Sequence, residues 1–222
     1  MSLQIDIVSD VVCPWCFIGK RHLEQALATY RQRHPDAPAP EVRWHPFQLN
    51  PQLPASGMPR SQYTAEKFGG PERAKEIYAR VAAAGAKAGI AFAFDRIAMQ
   101  PNTIDAHRLM HRAEKLGIQD AMAESLFSGY FIEGRNFTDR ETLAELAERA
   151  GMPAEDARRY LDSDEDRALI AQQDEHARRI GVEGVPFFIF NQRLAVSGAQ
   201  PAEILADVME RSAVQTEAAA TQ

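Results

Sequence analysis

Cys13-Pro14-Trp15-Cys16 is the stretch on which the reading of this chain turns. Before it runs Leu3-Gln4-Ile5-Asp6-Ile7-Val8, where Leu3, Ile5 and Ile7 alternate with Gln4 and Asp6. That alternation predicts a strand. After it, from Phe17 to about Arg33, Phe17, Ile18, Leu23, Ala26, Leu27 and Tyr30 recur at helical spacing. Pro14 suits a first helical position, because its missing N–H would have had no partner there. Two thiols at i and i+3 on that first turn lie near enough to close a disulfide with little backbone movement. Cys13 then sits where unpaired N–H groups and the helix dipole favour negative charge, which makes it the expected nucleophile.

Three other readings of the pair compete. Zinc wants four N or S ligands, and these two are the only cysteines. His107 and His111, at i and i+4 on a separate predicted helix, would have to complete the set. Free cysteines are also frequent inert core residues, though the helix-starting proline and the i, i+3 spacing argue against that here. A static disulfide across so short a loop would restrain the unfolded chain very little.

The 222 residues are 45% hydrophobic and 25% charged, an ordinary globular composition. The net charge of −6, without a basic patch, disfavours nucleic acid as a partner. No apolar run approaches the roughly 20 residues of a membrane span. MSLQIDIVSD shows no basic n-region, no long apolar h-region and no small-residue cleavage site. Taken from its Met, the chain is expected to be cytoplasmic, where a CxxC pair is more often catalytic or redox-sensing than structural.

Further along, a Pro-rich stop at residues 34–40 leads into a second strand, Val42 to Phe47, with Pro46 at its end or edge. Residues 61–180 carry almost continuous helical patterning, with helices expected near 61–68, 71–89, 103–117, 119–133, 139–150, 154–162 and 164–181. Thr138 with Glu141 reads as a capping box. Phe92 and Phe94 lie in an expected extended connector. Strand character returns at Val185 to Phe190, and Asn191-Gln192 predicts a hairpin turn into Arg193–Val196. Pro201 opens a last helix to about Ser212, and residues 214–222 are expected to fray. The order is β-α-β, a helical block, then β-β-α. Neither end holds a sheet alone; together they predict a four-stranded mixed α/β sheet with helices on its faces. The expected division is 1–60 plus 182–213 for the sheet domain, 61–181 for an inserted all-helical domain and 214–222 for the tail.

CPWC, a helical insertion and Gly184-Val185-Pro186, in that order, resemble the DsbA family of thiol–disulfide oxidoreductases. Residues 13–24 (CPWCFIGKRHLE), 46–51 (PFQLNP), 101–109 (PNTIDAHRL), 181–190 (GVEGVPFFIF) and 197–201 (SGAQP) look like its leaderless FrnE-like branch. The resemblance covers Gln4 to about Arg211. It implies a thioredoxin-like fold, Cys13 as an exposed attacking thiol and Cys16 as a buried resolving thiol. It also implies a cis bond at Pro186 and a Val185 backbone that receives an extended substrate. Pro14 and Trp15 complete the motif, and Trp15 is expected to be half exposed as an apolar rim. The implied partners are proteins or peptides that carry thiols or disulfides. No metal or organic cofactor is implied beyond the Cys13–Cys16 disulfide.

One departure bears on redox poise. The strongly oxidising members carry His at the position of Trp15, and an uncharged indole cannot stabilise a thiolate. Asp10 would disfavour one further if its side chain faced the site. The expected potential therefore lies toward the reducing end of the roughly −120 to −270 mV span of such enzymes. Kappa-class glutathione transferases and 2-hydroxychromene-2-carboxylate isomerases share this fold with Ser at the first cysteine, so a glutathione-dependent isomerase or transferase is an alternative. By that resemblance Ser197, Gly198, Ala199 and Gln200, ahead of the last helix, could hold glutathione as a co-substrate. Asn102, Thr103 and Asp105 read as a helix cap. His107 and His111 read as a helix–helix contact, and the acidic positions from Glu141 to Glu175 as solvated faces.

Overall fold

A computed structural model describes residues 2–220, with side chains described for residues 2–213. The strands are β1 (Gln4–Ser9), β2 (Glu41–Pro46), β3 (Met58–Pro59), β4 (Met99–Gln100), β5 (Phe187–Phe190) and β6 (Leu194–Ser197). The helices are α1 (Pro14–Arg33), α2 (Arg60–Phe68), α3 (Pro71–Lys87), α4 (Ile104–Lys115), α5 (Gln119–Phe131), α6 (Arg140–Arg149), α7 (Ala154–Asp162), α8 (Arg167–Arg179) and α9 (Ala202–Ala220). The main sheet has the order β2-β1-β5-β6, with β1 parallel to β2 and antiparallel to β5.

Strand alternation decides which layer each residue joins. Ile5 and Ile7 of β1, with Phe188 and Phe190 of β5, are fully buried in the core that also takes α1 and α9. Val8 faces the other side, where Phe47, Ala177 and Val182 cover it. β2 is an edge strand, which accommodates Pro46. The hairpin between β5 and β6 is one residue longer than expected: Phe190 pairs with Leu194, and three residues connect them, with Asn191 and Gln192 at positive φ (48° and 57°) and the Arg193 N–H donating to the Phe190 carbonyl at 3.0 Å.

Helices α3 to α7 share one apolar cluster with the sheet, while Ala177 of α8 packs with Val8 on the sheet's other face. Phe17, next to Cys16, stacks on Phe127 of α5 with ring centroids 5.1 Å apart. Lys20 and Arg21 of α1 pair with Glu124 of α5, Lys20 at 3.1 Å and Arg21 at 2.5 Å. The turn that carries the cysteines is thus held from the helical side as well as from the sheet.

Several expectations are corrected. Thr138 does not cap α6; Asp139 does, accepting from the Glu141 N–H. The Thr138 hydroxyl donates to Asn136 Oδ1 instead. The connector after α3 is a short 3₁₀ turn at Phe94–Arg96 followed by β4, which pairs with β3 in a two-stranded ladder. Both strands are two residues long, too short for periodicity to register. Asp174 is buried rather than solvated, because it accepts the Gln48 N–H at 2.8 Å. α9 runs to Ala220, beyond the expected stop near Ser212; of the expected tail, residues 221–222 lie outside the described residues.

Candidate active site

β1 delivers the chain to the site, and a tight turn aims it into α1. The Cys13 N–H donates to the Asp10 carbonyl at 3.0 Å, and Cys13 is the N-cap of α1 with extended backbone (φ −94°, ψ 113°). Pro14 takes the first helical position. The Cys13 carbonyl then accepts from Cys16 N at 3.0 Å, which closes the first turn. Both cysteines are free thiols.

Opposite Cys13 lies the loop that enters β5. The Val185–Pro186 bond is cis, and Cys13 Sγ lies 3.6 Å from the Val185 carbonyl oxygen. Gly19, one turn down α1, makes this approach possible. A Cβ there would stand 2.9 Å from Pro186 Cγ and 3.2 Å from Phe188 Cζ. The Pro186 carbonyl accepts the Gly198 N–H at 2.8 Å, and the Gln200 carbonyl meets His22 Nδ1 at 2.9 Å. The Ser197–Gln200 turn, with Ala199 packed on the core, is thereby tied to both the Pro186 loop and α1.

The expectation of an exposed Cys13 is corrected. Cys13 is 5% exposed and Cys16 1%. The Val185 loop closes over Cys13, both thiols sit against the core, and Trp15, 43% exposed, is the most exposed residue of the motif, ahead of the half-buried Pro14. The two thiols still differ. Burial, then the hydrogen bond and charge of Cys13, push the Cys16 thiol well above its ordinary range.

Asp10 does not aim its carboxylate at the cysteines. It is fully buried. Its Oδ2 accepts the Leu49 N–H at 2.7 Å and its Oδ1 the Val12 N–H at 3.5 Å, while His107 Nε2 stands 3.4 Å from Oδ1. The 46–51 string takes its place from this contact and from Gln48, whose amide donates to Asn102 Oδ1 at 3.1 Å. Asn102 also receives the Ile104 N–H at 3.0 Å, so it both caps α4 and braces the loop. Among the described residues no three His, Cys, Asp or Glu side chains converge as a metal site. His107 and His111 line a partly open cavity together with Ser9, a grouping that spacing alone did not reveal.

A two-thiol helix start facing a proline loop across a four-stranded mixed sheet defines a thiol–disulfide oxidoreductase of thioredoxin-like fold. Residues 4–210 match the family model described as a DSBA-like thioredoxin domain, and the chain belongs to that family. It is 32% identical to SCO1869 from Streptomyces coelicolor, a probable DsbA oxidoreductase. Their structures align with a TM-score of 0.85 over 95% of this chain and 89% of the other. A 2-hydroxychromene-2-carboxylate isomerase shares the fold at a TM-score of 0.67 and 16% identity, over 96% of this chain and 98% of that one. The cytosolic disulfide reductase DsbM from Pseudomonas aeruginosa, solved with glutathione, shares it at 0.58 and 20%, over 96% and 98%. The chain is a DsbA-like oxidoreductase.

Proposed function

We propose that the protein exchanges disulfides with proteins or peptides through Cys13 and Cys16. Cys13 attacks a substrate disulfide as thiolate and forms a mixed disulfide, releasing one substrate sulfur as thiol. Cys16 then attacks Cys13 Sγ; the Cys13–substrate bond breaks and its electron pair leaves on the second substrate sulfur. The substrate gains two electrons, and the dithiol becomes the Cys13–Cys16 disulfide. Run backward, the same steps oxidise a dithiol.

The observation that carries this reading is the 3.6 Å approach of Cys13 Sγ to the Val185 carbonyl. An extended substrate laid along the Val185–Pro186 loop would bring its sulfur against Cys13, with Trp15 as the apolar rim. Pro14 sets the helix start that holds the pair. The buried Cys16, its thiol pushed up, suits the resolving role. The sequence strings quoted above support a place in the FrnE-like branch.

Glutathione is the proposed small-molecule co-substrate, reducing the oxidised dithiol. Its support is the glutathione-bound DsbM neighbour and the turn Ser197, Gly198, Ala199 and Gln200, joined to the Pro186 carbonyl. The same neighbour supports a cytoplasmic setting. The free Cys13 thiol, where the isomerase-type relatives carry Ser, favours exchange over glutathione-dependent isomerisation. Among the described residues no helix is long and apolar enough to cross a membrane.

Insulin-disulfide reduction with glutathione as electron donor tests the proposal. Activity is expected in the parent protein and absent in Cys13→Ser, while Cys16→Ser should accumulate mixed disulfides on Cys13. Activity that survives Cys13→Ser refutes it.

A further inference from the structure

Between the end of β1 and α4 lies a partly open cavity of about 130 Å³. Ser9 at the end of β1, Val11 in the turn after it, and His107, His111 and Glu114 of α4 are among its lining residues. Ser9 Oγ, His107 Nε2 and His111 Nε2 are buried and have no hydrogen-bond partner among the described residues. Such atoms cost ~1–3 kcal/mol each when left unpaired. The lining is mixed, with Trp44, Met110 and Phe127 beside these polar groups, and a space well above the ~10–15 Å³ one water needs, with several unpaired polar atoms on its wall, is a place for ordered water. Ser9 joins this space to the chemistry. Its hydroxyl lines the cavity and also lies beside the Cys16 sulfur, where it favours the thiolate without forming a well-made hydrogen bond.

Cys16 needs such a connection. Its thiol is buried and held well above its ordinary range, so it must give up a proton as it attacks. We propose that His107 takes that proton, through cavity water and the Ser9 hydroxyl, and returns it when the dithiol is reduced. The inference rests on the dithiol-exchange reading above. The step balances. The Cys16 S–H proton passes to His107, the sulfur's electron pair makes the bond to Cys13 Sγ, and the substrate sulfur leaves with the pair from the broken bond. It then takes a proton from solvent.

The surroundings of His107 suit the cation that forms. Asp10 Oδ1, from the turn after β1, stands 3.4 Å from Nε2. His45 of β2 and the neutral Gln173 of α8 border the same cavity. On its own helix, His111 lies 3.8 Å from Glu114 and 3.7 Å from Asp166 at the start of α8. Lys115 pairs with that same Asp166 at 3.3 Å. Glu114, which also lines the cavity, has a side chain 45% exposed.

The two attacks can be read separately. Reduced protein mixed with excess 5,5′-dithiobis(2-nitrobenzoate) should release one thionitrobenzoate when Cys13 attacks and a second when Cys16 attacks. His107→Gln should leave the first phase within about twofold and slow the second ~100-fold or more at neutral pH, a typical share for a positioned base. The slowed phase should also become proportional to hydroxide, a change a packing defect would not produce. Ser9→Ala should slow the same phase. An unchanged second phase, or equal slowing of both phases with the parent's pH profile, overturns the proposal. If His107→Gln does not fold, Ser9→Ala decides alone, and an unchanged second phase there refutes the relay. A parent protein without any first phase would refute dithiol exchange itself.

Discussion

Gly19→Ala perturbs the closest approach between the two halves of the site. Gly19 is interior to α1 and adopts no left-handed φ. On helix propensity alone, Ala should therefore stabilise by ~1 kcal/mol. The added Cβ would instead stand 2.9 Å from Pro186 Cγ, 3.2 Å from Phe188 Cζ and 3.4 Å from Pro186 Cβ. Phe188 can tilt by a few tenths of an ångström, but the proline ring has no second rotamer to withdraw into. Overpacking of this kind costs ~1–3 kcal/mol. The net expectation is a loss of up to ~2 kcal/mol, the difference between the two effects. Relief comes by moving the Pro186 loop outward, and that movement carries Val185 away from Cys13, so insulin reduction should fall as well. Urea unfolding, read by its midpoint at constant slope, gives the stability. Gly184→Ala in the same loop is the control. Its Cβ would meet nothing within 4 Å, and it should be neutral or gain ~0.4–1 kcal/mol. A Gly19→Ala protein more stable than its parent, with full insulin reduction, would refute the claim that this contact sets the loop.

Trp15→Ala should raise KM for insulin severalfold while leaving the reaction with a small aromatic disulfide nearly unchanged, because only the longer substrate crosses the rim; equal effects on both would remove the rim. Arg108→Met should lower Tm sharply: the fully buried guanidinium donates to the carbonyls of Tyr160 at 2.6 Å, Ser163 at 2.7 Å and Glu165 at 2.8 Å and pairs with Asp105. Breaking such a buried set costs ~3–5 kcal/mol, and a loss under ~1 kcal/mol by urea unfolding would contradict it. Glu124 is pushed up by burial, but the hydrogen bond from Arg21 and the charge of Lys20 outweigh this and lower it from 4.5. Its contribution is therefore complete above that value and lost as pH falls through the lower folded one. Glu124→Gln should flatten the stability–pH curve only in that acid window, by ~1 kcal/mol or less because the group is half exposed. A redox titration against glutathione should place the dithiol toward the reducing end, and a midpoint near about −120 mV would overturn the argument from Trp15.

How much of this was legible in the sequence depends on the reach of each signal. Cys13 and Cys16 announce themselves because only two residues separate them and a strand and a helix flank them. The pairing of β1 with β5 joins residues such as Ile7 and Phe188, nearly the whole chain apart. Counting strands at the two ends still forces it, since neither end can bury a sheet alone. β3 and β4 escaped because two residues have no period. The capping residue was missed by one position, between Thr138 and Asp139, where residue type does not decide and only the path of the turn does. The burial of Cys13 was missed because it is imposed by the Val185 loop, more than 170 residues away, and nothing local to CPWC encodes it.

Asp10 shows where such reasoning changes sign. Three residues before Cys13, it reads as a charge that would oppose a thiolate. In the fold its carboxylate turns to the Leu49 and Val12 N–H groups and to His107, while its backbone takes the contact with the cysteines. The Asp10 backbone in fact favours the Cys16 thiolate. The side chain therefore cannot be counted among the reasons for a reducing potential. That expectation now stands on the uncharged Trp15 and on the buried, unwilling Cys16 thiol, since a dithiol that resists ionisation holds its electrons less tightly than one with a stabilised thiolate. The same turn of Asp10 puts a carboxylate beside His107, the acceptor of the Cys16 proton. One buried residue thus leaves the argument about potential and enters the argument about proton transfer, through the direction of its side chain alone.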